Sequence, residues 1–326
     1  MNISVIGAGS WGTAIAHIIS KNNKLTWWVR REQLAKQIVE KKRNTKYLTD
    51  CNINTSNIHV TTDLTSALSE ATIIIVAVPS SFVKNVFNDY AALLDNKILL
   101  SAIKGVLPDL LITPKQYFLS LSQKIKYGVI SGPCHAEEVA QEKTSFLTIS
   151  SNIPPRENDF IKVFKTPFIN VKISNDIVGC EYASILKNIY AIMVGIASGL
   201  GYGDNFLAVL ITASANELKR LLHHLDPKER SISQPAYLGD LLVTCYSIHS
   251  RNRSLGTAIG KGLSVENAIA NMTMVAEGYS ATASLKKIIT QLKIEKEAPI
   301  VMRTYNILYL EKESKKEIKQ LFKVML

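Results

Sequence analysis

Along the first half of the chain, short blocks of consecutive apolar residues alternate with stretches whose apolar positions recur every three or four residues. Residues 2–6, 25–29, 73–78, 98–102 and 127–130 read as strands, and residues 12–20 as the first helix. The block Ile73-Ile74-Ile75-Val76-Ala77-Val78 holds no polar position. Strands of this kind are buried on both faces, as in a parallel sheet covered by helices. Their alternation with helices predicts an α/β domain with a doubly wound parallel sheet. A loop at residues 151–155 leads to a helix and a short edge strand near 168–173. Beyond residue 176 the pattern changes. Residues 181–200, 206–225, 265–271, 280–292 and 299–311 all carry helical spacing, and no clear strand intervenes. The C-terminal part is therefore read as mainly α-helical, giving expected domains at residues 1–175 and 176–326.

Length agrees with this division, because 326 residues exceed the size at which one hydrophobic core usually keeps growing. A chain 47% hydrophobic and 20% charged is neither disordered nor fibrous. Its 38 Lys and Arg against 27 Asp and Glu give a formal charge of +11. That excess favours an anionic partner: nucleic acid, a membrane surface or small phosphorylated molecules. Aromatic residues are sparse and not interleaved with the basic ones, which argues against nucleic acid. The apolar runs at 73–78 and 189–196 are too short for a membrane span. The N-terminus enters a strand without the pattern of a signal peptide. Cys51, Cys134, Cys180 and Cys245 form no CxxC pair, and His223, His224 and His249 complete no ligand set, so no metal is assigned. A reducing, cytoplasmic setting fits best.

Chemistry concentrates in a few segments. Gly7-Ala8-Gly9-Ser10-Trp11-Gly12 is a GxGxxG motif between the first strand and the first helix. Gly7 permits a tight turn, Gly9 the approach of a pyrophosphate, and Gly12 close helix–strand packing, while the helix N-terminus offers amide donors. This makes the N-terminal domain a Rossmann-like, dinucleotide-binding one. The second strand ends at Arg30-Arg31, where an NAD site commonly has a carboxylate. Two guanidiniums suit a 2′-phosphate, so NADPH is favoured, with NAD the alternative; a solvated basic face beside Glu32 is the plainer reading.

Lys104 ends a strand–loop segment and suits a phosphate or a carbonyl, or simply the surface. Ser131-Gly132-Pro133-Cys134-His135 opens a helix, and its amides suit an anion. Cys134 and His135 are adjacent and point apart, which favours packing over a thiol nucleophile. Lys187 lies among apolar neighbours. A lysine taken out of water gives up its proton more readily, which suits proton transfer. On spacing alone, an amine that reaches solvent is the better reading. Asp240, followed by Ser250-Arg251-Asn252-Arg253, offers a carboxylate, a guanidinium and an amide for a phosphorylated ligand.

Together these segments resemble the bacterial-type NAD(P)-dependent glycerol-3-phosphate dehydrogenases, over essentially the whole chain. The resemblance rests on Gly7 to Ala14, Lys104-Gly105, Gly132 to Glu138, Leu186-Lys187-Asn188, Gly239-Asp240-Leu241 and Ser250 to Arg253, in that order. Val275-Ala276-Glu277-Gly278 and Ala298-Pro299-Ile300-Val301 also match. It implies interconversion of dihydroxyacetone phosphate and sn-glycerol 3-phosphate by hydride transfer, supplying glycerol phosphate for phospholipids. It also implies a helical substrate and catalytic domain and a homodimer. Lys187 becomes the proton donor and acceptor, reversing the reading from spacing, with Asp240 as its catalytic partner. Lys104, Gly132, Cys134, Lys187, Asp240, Ser250, Arg251 and Asn252 match substrate-contacting positions. Gly7, Gly9, Ser10, Trp11, Gly12, Arg30, Arg31, Lys104, Ala136, Arg251, Val275 and Glu277 match positions near the cofactor. Cys134 departs from the family, which more often has serine or threonine there; a surviving contact would come from its backbone amide.

Overall fold

The computed structural model describes residues 1–153, 157–272, 274–323 and 325, and the side chains of 157–160 are not described. Pro154 and Pro155 of the expected loop lie outside the described residues; Ser151, placed in that loop by the sequence, ends a strand instead. The chain forms two compact units, Met1–Ile103 with Thr113–Ile177, and Lys104–Ile112 with Val178–Leu326. The short segment from Lys104 to Ile112 thus belongs with the C-terminal helices.

Among its described residues the first unit holds eight strands: β1 (Ile3–Ile6), β2 (Leu25–Trp28), β3 (Ile58–Thr61), β4 (Ile73–Val76), β5 (Ile98–Ser101), β6 (Lys126–Ser131), β7 (Ser145–Ser151) and β8 (Ile169–Ser174). They pair in the order β3-β2-β1-β4-β5-β6-β7-β8, parallel throughout except for the antiparallel β6–β7 pair. β1 and β4 are buried at every position, as their unbroken apolar sequences predict. Strand order reverses beside β1, whose end at Ile6 is level with Trp28 of β2 and Val76 of β4. Ligands in open parallel sheets bind beyond the strand ends at such a reversal.

Among the described residues, seven α-helices accompany the sheet: α1 (Ser10–Ser20), α2 (Glu32–Lys41), α3 (Leu64–Ser69), α4 (Val83–Phe87), α5 (Pro114–Leu121), α6 (Ala136–Ala140) and α7 (Glu157–Phe164). α1 is alanine- and isoleucine-rich, and ten of its eleven residues are buried. Ile15 and Ile19 of α1, Val139 of α6 and Phe164 of α7 join Val5, Ile75 and Leu100 in one core. Burying each such side chain contributes roughly 1.5–3 kcal/mol. α5 starts where the chain returns from Ile112. Thr113 and Gln116 form a reciprocal capping box, and Pro114 stands at the first helical position.

The second unit is helical: α8 (Ile177–Gly199), α9 (Asp204–Leu225), α10 (Asp240–Tyr246), α11 (Arg251–Gly260), α12 (Val265–Ala270), α13 (Glu277–Leu292), α14 (Pro299–Leu310) and α15 (Ser314–Leu321). α8 is long and apolar enough to cross a membrane, contrary to what the length of its apolar run suggests, yet 94% of its most apolar window is buried inside the protein. It is the core helix of this unit.

Four glycines let α8 and α11 approach backbone to backbone. A Cβ on Gly256 would stand 2.0 Å from the Ile192 carbonyl oxygen, and one on Gly195 would stand 2.2 Å from that of Arg253. Gly199 and Gly260 are equally tight, so side chains at the start of α11 are held against the middle of α8. α14 begins under a remote cap. The buried carboxylate of Glu217, on α9, accepts from Ile300 N at 2.7 Å and Val301 N at 3.1 Å.

Candidate active site

In the first unit the functional elements converge on the β1–α1 turn. Gly7 has φ +116°, a conformation favouring glycine, and an added Cβ would stand 2.6 Å from the Ala77 carbonyl oxygen after β4. A Cβ on Gly12 would lie 2.3 Å from the Gly7 carbonyl oxygen. Gly9 differs from both: nothing lies within 4 Å of the position its Cβ would take. Gly7 and Gly12 are therefore fixed by the protein's own packing, whereas the backbone at Gly9 faces open space. Gly9 also caps α1 without a side-chain acceptor, and the first turn carries no acid. This cradle fits a pyrophosphate at a helix N-terminus.

Neighbouring polar groups brace the turn. The Trp27 indole donates to the Gly7 carbonyl at 2.9 Å, and Gly7 N donates to Trp28 O. Asn44, fully buried, donates to Ala8 O and Thr13 Oγ1 and accepts from the amides of Lys46 and Tyr47. Ser10 Oγ donates to Tyr47 O. Neither Trp27 nor Asn44 stands out in the sequence. Asn44 follows a basic run, and only its complete burial reveals the role.

Arg30 and Arg31 are exposed just beyond β2, and the Arg30 guanidinium lies 5.3 Å from the centroid of the Phe82 ring. Glu32 pairs with Lys36 at 2.8 Å, one turn along α2, rather than with either arginine. Gly132 has φ +110°, and its Cβ would meet Phe146 O at 2.6 Å. Cys134 is buried, its thiol donating to Phe146 O at 3.2 Å, and Ala136 begins α6. The thiol is thus directed at backbone of β7, in keeping with a packing role.

In the second unit the centre is a buried ion pair between Lys187 Nζ on α8 and Asp240 Oδ1 at the start of α10. Their side chains are only 5% and 3% exposed. A single turn of π-helix, Pro235–Gly239, precedes Asp240 and sets its direction. The other carboxylate oxygen, Oδ2, is buried with no hydrogen-bond partner among the described residues. An ammonium out of water beside one carboxylate, with an acceptor oxygen to spare, suits proton exchange with a polar ligand.

Asn188, the residue after Lys187 on α8, is the centre of a second set of hydrogen bonds. Its amide nitrogen donates to Ser184 O at 3.2 Å and Lys104 O at 3.4 Å, and its oxygen accepts from Asn252 Nδ2 at 3.0 Å. Asn252 Oδ1 in turn accepts from Gly278 N. A Cβ on Gly278 would lie 2.6 Å from Asn188 O, so that position has no room for a side chain. Ser250 caps α11, its Oγ accepting from Arg253 N at 3.3 Å. Lys104 is half-buried, and Arg251 reaches Met274 Sδ. Glu277, at the start of α13, is half-buried as a residue, but its Oε2 is out of solvent and lacks a hydrogen bond among the described residues. Burial raises its carboxyl above the ordinary range, while the charges of Lys104 and Arg251 pull it back. Val275 is 64% exposed and makes no part of this network. The role of Asn188 was missed in the sequence, although it stands beside Lys187.

Two family models divide the chain between them. The N-terminal model of NAD-dependent glycerol-3-phosphate dehydrogenase matches residues 2–156, and the C-terminal model matches residues 176–319. The chain belongs to the NAD-dependent glycerol-3-phosphate dehydrogenase family. Among its relatives, glycerol-3-phosphate dehydrogenase [NAD(P)+] 2 of Salinibacter ruber is 37% identical, with 94% of this chain and 90% of the relative aligned. The Bacillus subtilis glycerol-3-phosphate dehydrogenase [NAD(P)+] is 35% identical over the same shares. The crystal structure of glycerol-3-phosphate dehydrogenase from Coxiella burnetii superimposes with a TM-score of 0.93 at 28% identity, covering 98% of each chain. Family membership thus extends across both units, and the fold with it.

Proposed function

We propose that this chain interconverts dihydroxyacetone phosphate and sn-glycerol 3-phosphate, with NADPH preferred over NADH. The observation that carries the reading is the buried Lys187–Asp240 pair, with Asn188, the next residue on α8, bonded to Lys104 and Asn252. The cradle around Gly9 would hold the pyrophosphate, with Arg30 and Arg31 beside the adenosine ribose. When bound, the nicotinamide supplies the hydride that reduces the ketone carbon.

Lys187 gives its ammonium proton to the ketone oxygen as negative charge develops there, and solvent later restores that proton. Asp240 Oδ1 orients the ammonium and balances its charge. Oδ2 is left to accept from the free hydroxyl of the substrate. Lys104 and Arg251 supply positive charge for the phosphate, which a phosphate dianion uses strongly in a site poor in water. Asn252 has less to offer than its sequence position promises, since its oxygen and one N–H are engaged within the protein. Ser250 contributes chiefly by starting α11. Cys134 and Gly132 act through their backbone, and Ala136, Val275 and Glu277 belong to the proposed cofactor surroundings. A cytoplasmic homodimer serving phospholipid synthesis completes the proposal.

The test is oxidation of NADPH with dihydroxyacetone phosphate, compared with unphosphorylated dihydroxyacetone and with NADH. Lys187→Ala is expected to lower kcat on the order of 10²–10⁴-fold, while NADPH still binds in a fluorescence titration. Near-normal turnover in that variant would exclude Lys187 as the proton donor, and equal use of dihydroxyacetone would exclude the phosphate reading.

A further inference from the structure

The C-terminal turns of α9 and the loop after it line a half-open pocket of about 420 Å³. That volume falls in the range of small-molecule sites. The lining is basic: Lys219, Arg220, His223, His224, Lys228 and Arg230, against the single carboxylate of Glu229. The proposed reaction uses none of them.

These cations divide into a fixed and a freer set. Arg230 is fixed: it donates to the carbonyls of Leu222 and Asp226 and pairs with the Asp226 carboxylate, thereby closing the C-terminus of α9. Its guanidinium neutralises the carbonyl end of the helix, which would otherwise repel an anion. Arg220 pairs with Glu297 at 3.3 Å, a contact whose two side chains are each 42% exposed. Lys219, His223 and His224 have no hydrogen-bond or ion-pair partner among the described residues, and all three are exposed. Lys219 and His223 lie one turn apart on α9, so both project to the same side. Lys228 lies 3.9 Å from the Asp226 carboxylate.

We infer that this cavity is a second anion site, built for a small metabolite carrying two adjacent phosphoryl groups. Lys219 and Lys228 supply charge. The imidazoles of His223 and His224 supply directional N–H donors to phosphoryl oxygens. A compact diphosphate fits better than a nucleic acid because the cations gather around one pocket at the end of α9 rather than run in a stripe.

Inorganic pyrophosphate is the probe, titrated calorimetrically into the full-length protein at constant ionic strength so that general screening does not vary. Saturable binding is expected, weakened about tenfold or more in K219A/H223A. It should be unchanged in K104A/R251A, which removes the charges proposed for the substrate phosphate. NADPH-dependent turnover without pyrophosphate should be the same in K219A/H223A as in the parent protein. Both substituted side chains are exposed, and a Lys219→Glu variant gives an independent reversal of charge at the same position. The inference is overturned if no saturable binding is found, if K219A/H223A and Lys219→Glu bind as well as the parent, or if only K104A/R251A loses binding. Because the first pair of variants leaves the proposed active site untouched, failure here is distinguishable from failure of the dehydrogenase reading.

Discussion

At the scale of single residues, the charges that matter are those left unpaired or paired out of water. Residues 30–46 carry seven Lys and Arg against two Glu, and most of these face solvent. Arg30 and Arg31 differ because Glu32 is occupied by Lys36. The double variant Arg30→Ala, Arg31→Ala is expected to raise KM for NADPH about tenfold or more, the loss of at least one charge-assisted hydrogen bond. KM for NADH should change little, and steady-state kinetics with both cofactors checks the split. Asn252 illustrates the opposite case, a residue whose sequence context suggests a ligand while its bonds are internal. Asn252→Ala leaves Gly278 N without its acceptor and removes a donor to Asn188. It should cost about 1–3 kcal/mol of stability, read by urea denaturation, with any rise in substrate KM secondary to that loss. The GxGxxG turn and Asp240 stand out in the sequence as a motif and a conspicuous polar position, whereas the spacing around Lys187 favours a solvent-reaching amine and only the resemblance to the family points to it. Asn44 and Trp27 do not stand out, since burial and hydrogen bonding identify them and neither is visible in composition.

At the scale of elements, apolar blocks gave β1, β2, β4, β5, β6 and the edge strand β8, whereas β3 and β7 escaped. Their sequences, Ile58-His59-Val60-Thr61 and Ser145-Phe146-Leu147-Thr148-Ile149-Ser150-Ser151, are diluted with polar residues. The one antiparallel pairing, β6 with β7, was hidden for the same reason. α11 is not among the helices that spacing predicts, since Arg251, Asn252 and Arg253 precede two glycines, which lower helix propensity. Those glycines are explained by the crossing with α8, where side chains would meet backbone. Gly256→Ala is therefore expected to destabilise by about 3 kcal/mol or more, because the Cβ meets Ile192 O and Ile196 N rather than a flexible side chain. It should also lower activity, since it pushes Arg251 and Asn252 away from Asn188. Gly203→Ser is the matched control. Nothing lies within 4 Å of its Cβ position, and it caps α9, so serine should be neutral or stabilising. Thermal melting and turnover of the two variants check both outcomes.

At the scale of the whole chain, the division into strands first and helices afterwards was legible, but the assignment of Lys104–Ile112 to the helical unit was not. That segment follows β5 directly, and only its own closure, with Leu107 bridging Ile112, and the bond from Asn188 reveal where it belongs. Long-range ties of this kind decide how stability responds to pH. Glu217 is the strongest, a fully buried carboxylate on α9 that caps α14, 83 residues later in the sequence. Burial pushes its carboxyl up to about 7, although the amides of Ile300 and Val301 and the nearby Arg220 and Tyr190 pull it down. In the unfolded chain the same group titrates near 4.5. Folding therefore favours the protonated form, and the stability this group contributes is fully present below about pH 4.5. That contribution is lost as pH rises toward 7, by roughly 3 kcal/mol, and changes no further above that. Glu217→Gln removes the titration while keeping an oxygen acceptor for one of the two amides. Denaturant unfolding at a series of pH values should thus show the parent falling relative to the variant between pH 4.5 and 7, with parallel curves above. A constant difference across that range would mean that Glu217 stays ionised in the folded protein, held by its two amide bonds against the cost of burial.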